Sequence, residues 1–207
     1  MRVGGIVLCG GRSSRMGQPK AWLPFGGELM LQRVVRVLRE VVDPVVVVAA
    51  PGQDVPALPA DVAIVRDEVE GRGPLAGLAA GLAALEGKAD AAYLSSCDVP
   101  FLKPEFVRRV VTFLTPDSQL STPDIAVPKV GEYHHPLAAA YRVGVLGHVR
   151  ELLAANRLRP VFLFDAVPTR VLEPHDLADI DPDFASLRNL NTPEEYEAAL
   201  RVMSDES

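Results

Sequence analysis

The sequence runs to 207 residues, the size of one ordinary domain. Its 48% hydrophobic and 23% charged content excludes wholesale disorder. Acidic residues outnumber basic ones by 27 to 21, and the net charge of −6 argues against a general nucleic-acid binder while allowing a local basic pocket.

A bilayer crossing needs about 20 consecutive apolar residues, and the longest apolar run, Ala76 to Leu85, is half that. The first residues are too rich in glycine, and lack the Ala-x-Ala site, for a secretory signal. Cys9 and Cys97 are too few for a disulfide scaffold and read as buried thiols in a reducing cytoplasm.

In chain order, Arg2 to Leu8 is a compact apolar run that reads as a buried strand. Leu31, Val34, Val35 and Leu38 recur at helical spacing, with Gln32, Arg33, Arg36 and Arg39 on the other face. Val45 to Ala50 is a β-branched strand buried on both faces, and Val62 to Val65 is a third strand. Pro74 opens a helix with Leu75, Leu78, Leu82 and Leu85 along one stripe. Ala91 to Leu94 is the next strand, and Pro104 opens a helix carrying Phe106, Val107, Val110 and Leu114. This alternation implies right-handed crossovers: an α/β, Rossmann-like three-layer sandwich with a mostly parallel sheet and helices on both faces.

After about Thr115 the texture changes. Ile125 to Pro128 and His135 to Tyr141 are candidate strands, and a helix is expected from about Val145 to Asn156. A short apolar stretch, Val161 to Phe164, precedes a last candidate strand, Thr169 to Leu172. The final helix has a capping box, with Thr192 as cap, Pro193 in the first turn and Glu195 three residues after the cap. One domain over residues 1–203 is expected, in two parts meeting near 115, with 204–207 disordered.

The most informative segment is Leu8-Cys9-Gly10-Gly11-Arg12-Ser13-Ser14-Arg15-Met16-Gly17-Gln18-Pro19-Lys20, directly after the first strand. Its glycines let the backbone approach a ligand, and successive N–H groups in such a loop make an anion-binding nest. Arg12, Arg15 and Lys20 add three cations. Closely spaced amides with convergent cations suit a polyphosphate. The spacing matches neither Gly-x-x-x-x-Gly-Lys-Ser/Thr nor Gly-x-Gly-x-x-Gly, so P-loop hydrolysis and hydride transfer lose support. Covalent acyl chemistry lacks a Gly-x-Ser-x-Gly elbow.

This string resembles the opening loop of nucleotidyltransferases of the nucleotide-diphospho-sugar transferase type, and most closely that of the molybdenum cofactor guanylyltransferases. Gly73-Pro74-Leu75-Ala76-Gly77, Cys97-Asp98-Val99-Pro100 and Asn189-Leu190-Asn191-Thr192-Pro193-Glu194 agree in order and spacing, so the likeness extends from about Gly4 to Arg201. It implies transfer of GMP from GTP to molybdopterin, a nucleotide-binding part up to about residue 115 and an acceptor-binding part beyond it.

The resemblance implies catalytic roles for Arg15, Lys20 and Asp98, and nucleotide contacts for Leu8, Cys9, Gly10, Gly11, Arg12, Lys20, Asp67, Gly77 and Asp98. Mg²⁺ is the implied cofactor, on Asp98. A lone carboxylate at a strand's carboxyl end suits it, because Mg²⁺ takes few protein oxygens beside phosphate and water. Read alone, Asp98 is more readily a turn former or helix cap than a metal ligand, and Asp67 is equally a solvated strand-end carboxylate. His135, Asn189 and Asn191 fall where the family binds its acceptor. Asn191 has two further readings, a metal ligand or a helix-start residue.

The implied partners are GTP and molybdopterin, without nucleic acid or membrane, and with transient contact to molybdoenzymes or their chaperones left open. There are two departures from the family pattern. Val48, Ala49 and Ala50 stand where an asparagine often ends the second strand, and Pro19 replaces an acidic residue before the lysine. The rival readings are a sibling cytidylyltransferase and a GTP-binding protein without turnover.

Overall fold

The computed structural model describes residues 1–10, 16–67, 71–115 and 122–205. The amino-terminal half alternates strands and helices: β1 (Val3–Leu8), a small hairpin of β2 (Pro24–Phe25) and β3 (Glu28–Leu29), α1 (Met30–Arg39), β4 (Val45–Ala49), β5 (Ala63–Arg66), α2 (Pro74–Leu85), β6 (Ala91–Ser96) and α3 (Pro104–Thr112). There follow β7 (Ile125–Val130), β8 (Tyr133–His134), β9 (Ala139–Arg142), α4 (Leu146–Ala154), α5 (Val161–Phe164), β10 (Thr169–Leu172) and α6 (Pro193–Asp205).

Among the described residues the main sheet has eight strands, in the order β10-β7-β9-β6-β1-β4-β5, with β8 paired to β7. β1 lies parallel to both β4 and β6, β4 to β5, and β7 to β10. β9 runs antiparallel between β6 and β7. β1 is central, and the chain leaves it in one direction to β4 and returns through α2 to β6 on its other side. That reversal opens a crevice at the carboxyl ends of the strands, where ligands bind in open α/β sheets.

The β-branched runs are buried because both sheet faces are covered. Val7, Val45, Val47 and Tyr93 pack with Val34, Leu38, Phe106 and Val110 of α1 and α3. Their neighbours Ile6, Val46, Val48 and Leu94 pack with Leu78 and Leu82 of α2 and Val149 of α4. This alternation is the period-two geometry of strands, and it yields the expected three layers.

Helix α2 comes unusually close to β1 because glycines face the sheet. A Cβ at Gly81 would stand 2.6 Å from Ile6 Cγ2, and one at Gly77 2.9 Å from Leu8 Cδ2. Gly81→Ala therefore sets an overpacking cost of about 1–3 kcal/mol against the gain of about 1 kcal/mol that Ala has over Gly in a helix. A net loss of about 1 kcal/mol is expected in urea unfolding; a gain would show that Ile6 yields freely.

Two expectations shift, and the short apolar stretch acquires a form. The strand expected from His135 to Tyr141 is broken, because Pro136–Ala138 form a 3₁₀ turn and pairing with β6 begins at Ala139. Proline has no N–H for a ladder, which accounts for the break. Val161–Phe164 is a helical turn after Pro160. The last helix reaches Asp205, past the point where disorder was expected, and the Ser204 hydroxyl donates to the Leu200 carbonyl at 3.0 Å. Its start has the capping box foreseen, with Glu195 N–H on Thr192 Oγ1 at 3.2 Å and Thr192 N–H on Glu195 Oε2 at 3.1 Å. Among the described residues no helix is long and apolar enough to cross a membrane.

Candidate active site

A cavity of about 710 Å³ opens at the carboxyl ends of β1, β4 and β6. Its lining includes most of the expected nucleotide residues: Leu8, Cys9, Gly10, Lys20, Asp67, Gly77 and Asp98. Asn189 and Asn191 also border it. Gly11, Arg12 and Arg15 lie outside the described residues.

The strand ladder sets the floor. Leu8 pairs with Ser96, and the Cys97 N–H continues the ladder onto Leu8 O at 3.0 Å. Cys9 N–H reaches Val48 O at 2.8 Å, so the first residue of the glycine segment is tied to β4 as well. The amino end of α2 faces the same space through Pro74 and Gly77. Gly73 caps that helix with φ of 73°, a left-handed conformation that favours glycine. A helix start at a cavity adds a favourable field for anions.

Lys20 and Asp98, seventy-eight positions apart, meet here. Lys20 Nζ donates to Asp98 Oδ2 at 2.6 Å and to Asn191 Oδ1 at 2.8 Å. The other carboxylate oxygen, Oδ1, accepts from Ser96 Oγ at 2.6 Å and from Asn189 Nδ2 at 2.8 Å. The Leu190 N–H bonds Asp98 O at 2.9 Å, which stitches the carboxyl-terminal segment to the loop after β6. Asp98 sits in a turn and caps no helix, so its side chain serves the cavity. Lys20 and Asp98 side chains are only 16% and 12% exposed, and partial desolvation strengthens their attraction.

The two cysteines are free and buried. The neighbouring Cys97 thiol, aided by Gln53 and opposed by burial, holds Cys9 below its ordinary pKa. The Cys9 thiol in turn, with burial, pushes Cys97 up.

His135 does not border this cavity, although Leu137 two residues on does. It is half-buried, and burial together with the neighbouring His134 lowers its pKa. Sequence reasoning missed Ser96, which fixes Asp98. A polar residue ending an otherwise apolar strand was the available signal. It also missed Gln53, which lies four residues beyond the end of β4 and folds back onto Cys9.

The donor set suits a hard cation. Among the described residues no three His, Cys, Asp or Glu side chains converge as a metal cage. Asp98 Oδ2 and Asn191 Oδ1 nevertheless both point at one positive charge, that of Lys20. Two oxygens of this kind, completed by phosphate and water, are what Mg²⁺ takes.

Known proteins resemble this chain over nearly its full length. Residues 5–169 match the family model for the MobA-like NTP transferase domain. A probable molybdenum cofactor guanylyltransferase of Pelotomaculum thermopropionicum is 36% identical, the match covering 98% of this chain and 94% of that protein. One from Mycobacterium avium is also 36% identical, with 99% and 96% covered. Among solved structures, molybdopterin-guanine dinucleotide biosynthesis protein A from Archaeoglobus fulgidus superposes with a TM-score of 0.76 at 20% identity, covering 98% of this chain and 99% of that one. At that identity the superposition establishes the fold: the nucleotide-diphospho-sugar transferase type of α/β sandwich foreseen from the sequence. Likeness of this extent settles membership, and the chain belongs to the family of MobA-like NTP transferases.

Proposed function

We propose that the protein transfers GMP from GTP to the terminal phosphate of molybdopterin, releasing pyrophosphate. The observation that carries this reading is the Lys20–Asp98–Asn191 cluster, which sets a cation, a carboxylate and an amide oxygen at the mouth of one cavity. The names of the curated relatives support guanine as the base and molybdopterin as the acceptor.

In this reading the triphosphate lies over the glycine segment and the amino end of α2. Lys20 exchanges its carboxylate partner for phosphate oxygens and neutralises them. Asn189 and Ser96 hold Asp98 in place through Oδ1. The residues fit Mg²⁺, which Asp98 and Asn191 would hold, and which when bound supplies charge neutralisation on the phosphates. An oxygen of the acceptor phosphate attacks the α-phosphorus, the bond to the β-phosphate oxygen breaks, and pyrophosphate departs with its electron pair. The acceptor phosphate is already ionised at neutral pH, so no protein base or nucleophile is required. Catalysis consists of positioning and charge stabilisation.

Val48, Ala49 and Ala50 bring no side-chain amide to the wall beside β4. The test therefore sets GTP beside CTP. Each is incubated with molybdopterin and Mg²⁺, and the product is identified by mass. Molybdopterin guanine dinucleotide, formed with matching pyrophosphate release, is expected. A cytosine product would move the protein to the sibling activity. Tight GTP binding with no product would make it a binding protein.

A further inference from the structure

We propose that Gln53 is a positioning residue for the nucleotide, its side-chain amide fixing the peptide plane that presents the Gly10 N–H to phosphate. This rests on the nucleotidyl-transfer reading above and adds to it a residue outside the cavity lining. The Gln53 Nε2 donates to the Cys9 carbonyl at 2.9 Å and approaches Cys9 Sγ at 3.5 Å. Its Oε1 accepts from the Ala50 N–H at 3.0 Å. One amide thus clasps the strand end that begins the glycine segment to the turn that follows β4.

That turn is itself held. The Gln53 N–H bonds Ala50 O at 3.2 Å, Arg66 Nη1 donates to the same carbonyl at 3.1 Å, and Arg66 also reaches Gln53 O. The clasp therefore pulls against a fixed anchor.

The consequence follows from peptide geometry. A trans peptide is planar, and its C=O and N–H point in opposite directions. Drawing the Cys9 carbonyl to Gln53 turns the Gly10 N–H away from the Ala50 turn. Cys9 N–H is pinned on Val48 O, so the Cys9 backbone is held on both sides and the plane has little freedom. Gly10 borders the cavity, and among the described residues nothing accepts its N–H. A Cβ there would stand 3.3 Å from Ala50 N, so the close approach favours glycine. An oriented N–H beside a cavity is the element from which phosphate nests are made. A side-chain amide offers a donor and an acceptor on separate atoms, one for Cys9 O and one for the Ala50 N–H; a carboxylate in its place accepts only.

The test compares Gln53→Ala and Gln53→Glu with wild type in the full chain. It measures GTP affinity by calorimetry, KM and kcat in pyrophosphate release, and the amide chemical shift of Gly10 without nucleotide. Glutamate keeps the acceptor for Ala50 but sets carboxylate oxygen against carbonyl oxygen. The expected result is a GTP Kd and KM about tenfold higher in Gln53→Ala, the effect of one hydrogen bond. A larger rise is expected in Gln53→Glu. In both, kcat at saturating GTP stays within about threefold, and the Gly10 amide resonance moves.

Wild-type affinity with an unmoved Gly10 resonance in both variants overturns the inference. A loss of kcat at constant KM also overturns it, since a ground-state clasp acts on binding. Wild-type protein that binds no GTP sinks the nucleotidyl-transfer reading and this one together. Wild-type binding with unaffected variants sinks this one alone.

Discussion

Alanine in place of Asp98 is expected to lower nucleotidyl transfer about a hundredfold or more, the usual effect of removing one charge-stabilising group. Three side chains converge on this carboxylate: Lys20, Ser96 and Asn189. Its loss removes the metal ligand of the proposed reaction and releases Lys20 from one of its two anchors. Lys20→Ala is expected to cost a similar factor, through the phosphates that the ammonium would neutralise. The two groups touch at 2.6 Å, so the double variant should lose far less than the product of the single losses. Asp98→Asn separates charge from shape, since the amide can still accept from Ser96 but brings no charge to a cation. Turnover closer to that of Asp98→Ala than to wild type is expected. The measurement is steady-state pyrophosphate release with Mg²⁺, beside a thermal midpoint that shows each variant folded. Wild-type turnover in Asp98→Ala would remove the aspartate from the mechanism.

The sandwich was legible because its signals are local and repeated. Val45 to Val48 alternate between two helix layers, Leu75, Leu78, Leu82 and Leu85 mark one stripe of α2, and Thr192 with Glu195 makes a capping box. The hairpin Pro24–Phe25 with Glu28–Leu29 left no trace, since two-residue strands are shorter than any period. Of the site, the glycine segment, Lys20 and Asp98 could be singled out by residue type. Their meeting depends on β1 and β6 lying side by side across an α2 crossover, which is a property of topology. Gln53 acts through a hydrogen bond to Cys9, a segment remote in sequence, and residue type alone gives no reason to pair them. Ser96 reaches Asp98 only two positions on, and its polar type at a strand end was the one local signal. His135 shows the converse: a motif drew attention to it, while the 3₁₀ turn of Pro136–Ala138 brings Leu137 to the cavity.

A large stability effect outside the cavity is expected at Asp181. Its carboxylate is fully buried and has two partners. Oδ1 accepts from Lys103 Nζ at 2.8 Å, and Oδ2 accepts from the Ser186 N–H at 2.8 Å. The Ser186 hydroxyl in turn accepts from the Lys103 N–H at 3.1 Å, so the start of α3 and the segment before the terminal asparagines close into one ring of bonds. Asp181→Ala leaves a buried N–H without a partner and a half-exposed lysine without its anion. Hydrogen bonds to a charged group contribute about 1.5–3 kcal/mol each. The Lys103 side chain is 42% exposed and is resolvated in the variant, which discounts its share. A loss of about 3 kcal/mol is expected, lowering the thermal midpoint by about 6–12 °C in a domain of this size. Asp181→Asn keeps an acceptor for Ser186 and should lose less than half as much. Asn189 lies three residues beyond Ser186, so the ring also sets where the amide meets Asp98. Well below its unfolding midpoint, Asp181→Ala should therefore show a severalfold loss of turnover that Asp181→Asn largely restores. Full activity in a destabilised Asp181→Ala protein would show that the Leu190–Asp98 backbone bond alone positions the asparagines.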